Sequence, residues 1–369
     1  MAERLTRTFD YTHNESLSAN IGTTYESKDA IQNKPMTRNS STARISLQFF
    51  FSLWLFCQAA SLHAEDHKPA LLVLSKPAAK LLIVDPVAKK VIGEVPTGTG
   101  PHELTVSQDG KMAFVGNYGA QVPGDSLSVI DLAARKEIRR HNLGALRRPH
   151  GMVQSHGKIY FTAEVNKVVG RYDPGSDSVD WIEGTGQDTT HMLVITADQK
   201  KIFTSNIQSD TVSALEATGT GESWHVTQIS VGKRPEAIDL SPDGKEVWTS
   251  HSVDGGISII DVETKKVKET IPSLTKHSNR LKFTPDGKLV FISDAQANEV
   301  LAIESSSRKL LKRIPVCAQP LGIQMNPDNK LAYVACGQAG QIGIIDLATL
   351  SQTGTIDVGP GPDGMAWVQ

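Results

Sequence analysis

The chain has 369 residues, a formal net charge of −2 and 39% hydrophobic residues. This near-neutral charge gives no electrostatic reason to expect nucleic acid as a partner, because nucleic-acid-binding surfaces concentrate Lys and Arg. The apolar content is ample for a large core. Short β-rich runs separated by Gly, Asn, Asp and Pro predict an all-β protein.

The N-terminal part of the chain divides into two segments. Residues 1–35 lack apolar periodicity and are rich in Ser, Thr, Asn and charge, which is typical of disorder. Arg38 and Arg44 then precede an apolar stretch over residues 45–60. This order predicts a signal peptide at 36–64, with the true start at its first residue, and therefore a periplasmic or secreted protein without a stable membrane span in the mature chain. A single membrane anchor is the alternative, because the apolar stretch nearly spans a bilayer.

The remaining residues, 65–369, form one predicted domain built from a repeated unit. The stretches "DLSPDGKEVWTSH" and "KFTPDGKLVFISD" each place a Ser/Thr-Pro-Asp-Gly-Lys turn before an alternating, strand-like run. Related stretches recur every 41 to 48 residues, a period that suits the four short strands of a propeller blade. The first strand of each unit begins at an anchor residue, and the anchors are Pro101, Pro149, Thr190, Pro235, Ser278, Pro320 and Pro362.

The two ends of this domain are complementary. The last unit contains only a first strand, whereas the stretch that begins at residue 70 contains only strands two to four. We therefore predict that residues 365–368 pair with residues 71–75 and close the ring, which removes an open strand edge. The predicted fold is an all-β, seven-bladed β-propeller. Because each blade packs against two neighbours, the ring is expected to be one cooperative domain.

These repeats resemble a known family. The stretches "SPDGKEVWTSH", "VFISD" and "AYVAC" and the "IID" runs look like the YVTN-type repeats of YncE-like secreted bacterial β-propellers. The resemblance covers residues 68–369. Propellers with similar repeats include the haem-binding domain of nitrite reductase, the β-chain of quinoprotein amine dehydrogenases and several lactonases. The resemblance therefore implies the fold more strongly than a function.

The residues that directly follow the anchors form the first candidate site. They are expected to lie around the central opening, and in chain order they are His102, His150, His191, Glu236, Asn279, Leu321 and Asp363. Imidazoles and a carboxylate on four successive rigid strands predict a divalent transition-metal site at His102, His150, His191 and Glu236. The same groups could act as general acid and base on a polar ligand. The alternative is a hydrated channel lining without a ligand.

The residues that close the second strand form a second set on the same face. We expect them to converge on the opening too, and they are Ser75, Asn117, Glu164, Asn206, His251, Asp294 and Cys336. Glu164 and His251 are the candidates for catalysis, because both could complete the shell around the histidines. Arg280 lies on a strand that lines the channel, and its charge must face water or an anion.

The cysteines leave three alternatives open. Only Cys317 and Cys336 remain in the mature chain, and an oxidising compartment would allow a bridge between them. Two free thiols, or a metal ligand at Cys336, are the other readings. Covalent haem is excluded because the chain contains no C-x-x-C-H motif.

Three functions fit these residues. The first is a non-catalytic module that binds a small-molecule ligand, a metal or a periplasmic protein through the His-rich face. The second is a metal-assisted lactone hydrolase or lyase in which His251 acts as acid and base. The third is an accessory protein of a periplasmic haem or quinone redox system. We rank binding first, because the residues recur by position without forming a recognisable catalytic constellation.

Overall fold

The computed structural model describes residues 69–221 and 223–369. The segment predicted to be disordered, 1–35, and the predicted signal peptide, 36–64, lie outside the described residues. In the part that is described, the secondary structure consists of β-strands and one 3-10 turn, Ile207–Ser209. No helix in these residues has the length and apolar character needed to cross a membrane.

Twenty-eight strands form seven antiparallel four-stranded sheets. In chain order, the strands are β1 (Ala70–Ser75), β2 (Lys80–Asp85), β3 (Lys90–Pro96), β4 (Pro101–Val106), β5 (Met112–Gly119), β6 (Pro123–Asp131), β7 (Lys136–Asn142), β8 (Pro149–Ser155), β9 (Lys158–Ala163), β10 (Val168–Asp173), β11 (Ser178–Gly184), β12 (Thr190–Ile195), β13 (Lys201–Asn206), β14 (Thr211–Thr218), β15 (Ser223–Ser230), β16 (Pro235–Leu240), β17 (Glu246–His251), β18 (Ile257–Asp261), β19 (Lys266–Ile271), β20 (Ser278–Phe283), β21 (Leu289–Asp294), β22 (Glu299–Glu304), β23 (Leu310–Pro315), β24 (Pro320–Met325), β25 (Leu331–Cys336), β26 (Gln341–Asp346), β27 (Ser351–Asp357) and β28 (Pro362–Val368).

Each sheet is one blade of a seven-bladed propeller. Blade 1 has the order β28-β1-β2-β3, and blades 2 to 7 are β4–β7, β8–β11, β12–β15, β16–β19, β20–β23 and β24–β27. In blade 1, Ala70 lies opposite Val368 and Val73 lies opposite Met365. The predicted closure, in which the C-terminal strand completes the N-terminal sheet, is therefore confirmed.

The repeated turn sequence has a local physical cause. In blade 5, the Ser241 hydroxyl donates to Asp243 Oδ1 at 2.7 Å, and the Lys245 backbone N–H donates to the same oxygen at 3.1 Å. Gly244 lies between them with φ of 72°, a left-handed conformation that glycine adopts without steric cost. Blade 6 repeats this pattern. Both turns therefore use a hydroxyl, a carboxylate and a glycine at the same positions, which explains why these two blades repeat them.

The core is divided among the interfaces between blades. Seven apolar clusters occupy these interfaces, one between each pair of neighbouring blades. Between blades 5 and 6, for example, the buried rings of Trp248 and Phe283 meet edge to face with centroids 5.5 Å apart. Because every blade buries both faces, the ring holds its inner strands rigidly in place.

The first strand of each blade lies innermost and packs on its two neighbours. Glycines that follow site residues allow this close approach. A Cβ added at Gly364 would lie 2.3 Å from the His102 carbonyl oxygen, and one at Gly322 would lie 2.2 Å from the carbonyl oxygen of Asp363. These glycines therefore set the spacing between the residues that begin adjacent inner strands.

Candidate functional site

Three histidines lie side by side at one end of the central channel. They are the second residues of β4, β8 and β12, in three successive blades. The ring centroids of His102 and His150 are 4.1 Å apart, and those of His150 and His191 are 3.7 Å apart. The inner strands thus bring together the three imidazoles that the sequence places at equivalent positions.

His150 lies in the middle of this stack. Its exposure is 1%, and neither ring nitrogen has a hydrogen-bond partner in the described residues. Burial lowers the pKa of His150 well below its usual value, and the nearby His191 and His102 lower it further. The ring is therefore neutral and offers a lone pair. Leaving buried polar atoms unpaired costs stability, so this arrangement favours a bound group that would satisfy them.

Glu164 and Tyr118 support the next histidine. Glu164 Oε1 lies 2.5 Å from His191 Nδ1, and its Oε2 accepts a hydrogen bond of 2.5 Å from the Tyr118 hydroxyl. Burial raises the pKa of Glu164. The hydrogen bond and charge of His191 and the hydrogen bond from Tyr118 outweigh this effect, so the net pKa is lowered. Burial and the adjacent carboxylate raise the pKa of Tyr118. The site therefore holds an ionised carboxylate beside a neutral phenol.

The position of Glu164 differs from the predicted one. In blade 2, Pro101 lies opposite Asn117, whereas in blade 3 Pro149 lies opposite Ala163, so Glu164 is one residue beyond the position assigned to it. The hairpin of blade 3 is two residues shorter than that of blade 2, which shifts the end of the strand. Glu164 is instead equivalent to Tyr118. Three blades use this next position to approach the histidines, with Lys76, Tyr118 and Glu164.

A second polar group surrounds His102. Lys76 Nζ lies 2.8 Å from His102 Nε2 and 3.3 Å from Asp363 Oδ2. The same carboxylate oxygen lies 3.2 Å from His102 Nδ1, without the alignment of a hydrogen bond. Burial lowers the pKa of His102 to about 4, because the attraction of Asp363 only partly offsets burial and Lys76 opposes protonation. His102 is therefore neutral and accepts a hydrogen bond from Lys76 at Nε2.

An ion pair closes the channel beneath the histidines. Glu103 follows His102 on blade 2, and Arg280 occupies the equivalent position on blade 6, about halfway around the ring. Glu103 accepts a hydrogen bond from Arg280 Nη2, and Arg280 Nη1 lies 3.0 Å from Met192 Sδ. Both charged residues are buried. The ion pair therefore bounds the polar pocket around the histidines on one side, and Arg280 binds a protein carboxylate where the sequence predicted water or an anion.

Among the described residues, two groups have the composition and spacing of a metal site. One is His150, Glu164 and His191, and the other is His102, Glu103 and His150. Within each group, one donor atom per residue lies within 4.8 Å of the others, which suits metal–ligand bonds of about 2.0–2.2 Å.

Two residues distinguish these groups from the predicted set. Glu103, which the sequence analysis did not single out, takes part in one of them. The sequence feature that could have identified Glu103 is its position directly after His102, which is equivalent to the position of Arg280 on blade 6. Glu236 lies beside the groups, 3.7 Å from His191 Nε2, and Asn279 donates to it at 3.4 Å.

The other residues of the second set hold loops instead of lining the opening. Asn117 Oδ1 accepts from the Gly98 amide at 3.0 Å, and Asn206 Nδ2 donates to a serine hydroxyl in its own sheet at 2.8 Å. Asp294 accepts from the Lys276 amide at 2.6 Å. The expected convergence of these side chains on the histidines is therefore corrected. Each of these residues comes one position before the residue that faces the site. Because successive side chains in a strand point to opposite faces, theirs point away from the histidines.

His251 has a similar structural role. Its Nδ1 lies 2.9 Å from Asp254 Oδ1, and its Nε2 lies 3.3 Å from the amide nitrogen of Gly232. Both ring nitrogens are therefore engaged within the loops of blade 5. The expectation that His251 completes the shell around the stacked histidines is not met by this geometry, because neither nitrogen is free to face a ligand.

Cys317 and Cys336 form a disulfide with a Cα–Cα distance of 5.7 Å. The bond ties the loop before β24 to the end of β25. Cys336 lies opposite Pro320 in the hairpin of blade 7. Of the three alternatives left open by the sequence, the structure selects the bridge, which removes Cys336 as a metal ligand.

The sequence matches a family model described as "Lactonase, 7-bladed beta-propeller" over residues 79–358. The chain belongs to this family. No curated protein matches it. The YVTN-type, YncE-like relationship suggested by the repeats is a finer assignment than this family match and stays a prediction.

Solved structures share the fold at low sequence identity. A putative 6-phosphogluconolactonase from Bacteroides fragilis has a TM-score of 0.68 and 16% identity, covering 83% of this chain and 99% of that chain. Kuenenia stuttgartiensis hydrazine synthase has a TM-score of 0.62 and 19% identity, covering 72% and 88%. The dihydro-heme d1 dehydrogenase NirN, in complex with DHE, has a TM-score of 0.57 and 12% identity, covering 80% and 74%. At these identities the likeness shows the fold alone.

Proposed function

We propose that this protein is an exported ligand-binding module that holds a divalent transition-metal ion in the pocket at His150, His191 and Glu164. The single observation that carries the proposal is His150, whose two ring nitrogens are buried and without a hydrogen-bond partner in the described part of the chain. Two imidazoles and a carboxylate are a donor set that zinc and related ions accept. A site with three protein ligands leaves a coordination position for a small-molecule ligand or a group from a partner protein.

The electrostatics of the pocket support a cation. Glu164 is ionised and lies next to His191, so a carboxylate and an imidazole are already adjacent. An entering ion would take the place of the hydrogen bond between them. The low pKa of His150 keeps its lone pair available at neutral pH, where a protonated imidazole could not bind a metal. His150 and His191 lie on rigid inner strands, and Glu164 directly follows the strand paired with one of them, which holds the donors at a fixed spacing.

Metal binding is tested by titrating metal-free protein with Co²⁺ or Zn²⁺ and following calorimetry and the visible Co²⁺ spectrum. We expect saturable binding and a tetrahedral Co²⁺ spectrum in the wild type, and a loss of affinity of at least tenfold in His150→Ala. His225→Ala is the matched control, because His225 is exposed on an outer strand. No saturable binding in the folded wild-type protein would contradict the proposal, and so would equal binding in both variants.

Lactone hydrolysis is the second candidate, and the family match favours it. An ion in the pocket would polarise the lactone carbonyl, and Glu236 is the carboxylate placed beside the donors to accept a proton from the attacking water. Water would add to the carbonyl, the ring ester bond would break, and a hydroxy acid would leave. We expect metal-dependent opening of simple lactones that falls at least 100-fold in Glu236→Gln. Metal binding without any lactone turnover would contradict lactone hydrolysis and leave metal and ligand binding as the proposed function.

Export is part of the proposal. The Cys317–Cys336 bridge supports an oxidising compartment, since structural disulfides are rare in the cytosol. The segment at 36–64 would direct the chain there. N-terminal sequencing of the protein from the periplasmic fraction tests this, and a mature start near residue 65 is expected. Recovery of the uncleaved chain from the cytosol would contradict it.

A further inference from the structure

We infer that the pocket binds two metal ions, one on each ring nitrogen of His150, instead of a single ion. This inference rests on the proposed function, because it extends the same pocket. The first ion is held by His150, Glu164 and His191, and the second by His150, Glu103 and His102. The observations that carry it are the overlap of the two donor groups, the burial of His150 and the charge of the pocket.

The two donor groups share only His150. Glu164 and His191 lie on one side of it, in blades 3 and 4, whereas His102 and Glu103 lie on the other side, in blade 2. The ring of His150 is flanked by both other imidazoles, with centroid distances of 4.1 and 3.7 Å. His150 is thus the central member of five donors from three adjacent blades, four of them on inner strands and Glu164 directly after β9.

The two nitrogens of His150 explain why one ion is insufficient. They point away from each other across the ring, so a single ion can bind only one of them. Both are buried and without a hydrogen-bond partner in the described residues. One ion would leave the other nitrogen buried and unpaired, which costs stability. Two ions satisfy both nitrogens. The one N–H proton of the neutral ring is then displaced and passes to solvent.

The charge of the pocket is suited to more than one cation. Two fixed cations, Lys76 and Arg280, contact the pocket carboxylates. The carboxylates within reach of the three histidines outnumber them, and they are Glu103, Glu164, Glu236 and Asp363. Four carboxylates therefore share two cations, and burial raises the pKa of Glu103 in spite of its ion pair with Arg280. An excess of buried negative charge favours the uptake of cations, because it is otherwise poorly compensated.

The supporting contact of Glu103 fits the role of a metal ligand. Arg280 Nη2 donates to Glu103 Oε1, and His102 Nδ1 lies 3.9 Å from the same oxygen. His102 accepts from Lys76 at Nε2, which leaves Nδ1 as the nitrogen directed into the pocket. Nδ1 is buried and has no hydrogen-bond partner among the residues that the structure describes. The second group therefore has an unpartnered nitrogen of its own, independent of His150. Because Nε2 accepts from Lys76, the proton of the neutral ring is on Nδ1, and it passes to solvent when a metal ion binds there.

Metal stoichiometry tests the inference. Metal-free protein is loaded with Zn²⁺, desalted, and examined by native mass spectrometry and elemental analysis. We expect two ions per chain in the wild type and in the His225→Ala control, and one ion in Glu103→Gln and in Glu164→Gln. His102→Ala provides a second variant that removes only the Glu103 side, in case Glu103→Gln fails to fold because Arg280 loses its partner. Circular dichroism confirms that each variant is folded.

Cu²⁺ provides a readout that does not depend on counting ions. Two Cu²⁺ ions joined through one imidazole ring couple magnetically, so the integrated electron paramagnetic resonance signal should fall well below two spins per chain. His102→Ala loaded with one equivalent should give the full signal of one spin. One ion per wild-type chain would overturn the inference and leave the proposed function intact. Two uncoupled ions, or two ions retained in His102→Ala, would also overturn it. No bound ion would overturn both.

Discussion

Glu103 and Arg280 form a buried ion pair across the central channel, between inner strands that are three blades apart around the ring. Residues so far apart in the chain meet because the propeller brings all first strands to one axis. The pair has two consequences. It closes the pocket below the histidines, and it ties opposite sides of the ring together through side chains.

Breaking this pair should be strongly destabilising. Arg280→Met would leave Glu103 buried without its partner, and we expect a loss of about 3–5 kcal/mol in the free energy of unfolding. Arg313→Met is the control, because Arg313 and Glu299 form a more exposed pair whose loss should cost about 0–1 kcal/mol. Urea denaturation measures both. Equal losses in the two variants would show that the pair across the channel has no special role.

The close packing of inner strands predicts the effect of adding one methyl group. In Gly364→Ala, the new Cβ would meet the His102 carbonyl oxygen at 2.3 Å, so the strands must separate. We expect a loss of about 1–3 kcal/mol. Gly184→Ala is the matched control, because a Cβ there has no atom within 4 Å. Thermal unfolding of the metal-free variants compares them, and unchanged stability of Gly364→Ala would contradict the predicted spacing.

His251 should make stability depend on pH. Burial lowers the pKa of His251 in the folded protein, and the raising effect of Asp254 does not fully offset it. The unfolded state therefore binds a proton more readily, and the contribution of neutral His251 to stability is lost as the pH falls below about 6.5. We expect the free energy of unfolding to fall less steeply between pH 7 and pH 5 in His251→Gln than in the wild type. Parallel curves would contradict this.

The disulfide should stabilise the fold under oxidising conditions. Cys317 and Cys336 are 19 residues apart, and closing a loop of this size contributes about 3 kcal/mol in the chain-entropy description. We expect reduction with dithiothreitol to lower the unfolding temperature of the wild type and to leave the Cys317→Ser/Cys336→Ser double variant unchanged. An equal response of the two proteins to reductant would contradict the prediction. Intact mass before and after reduction confirms the bridge.

Much of the fold could be read from local patterns. The Ser/Thr-Pro-Asp-Gly-Lys turns of blades 5 and 6 repeat because both use the same hydroxyl, carboxylate and glycine. The seven anchor residues at similar spacing gave the number of blades. The incomplete units at the two ends predicted the pairing of β28 with β1. The equivalence of His102, His150 and His191 also followed from the repeat, since equal positions on adjacent inner strands must lie side by side.

Other features of the site needed the folded ring. The shortened hairpin of blade 3 moved Glu164 by one residue into line with Tyr118, and no local pattern marks such a shift. The same alternation turned Asn117 and His251 toward loops.

The sequence alone determined which residues form the blades and which of them begin the inner strands, because turn chemistry and strand alternation act between near neighbours in the chain. Only the tertiary structure decided that Glu103 meets Arg280 and that both nitrogens of His150 are buried without partners. Contacts across the channel depend on the curvature of the whole ring and on the direction of each side chain. These are set jointly by all seven interfaces between blades.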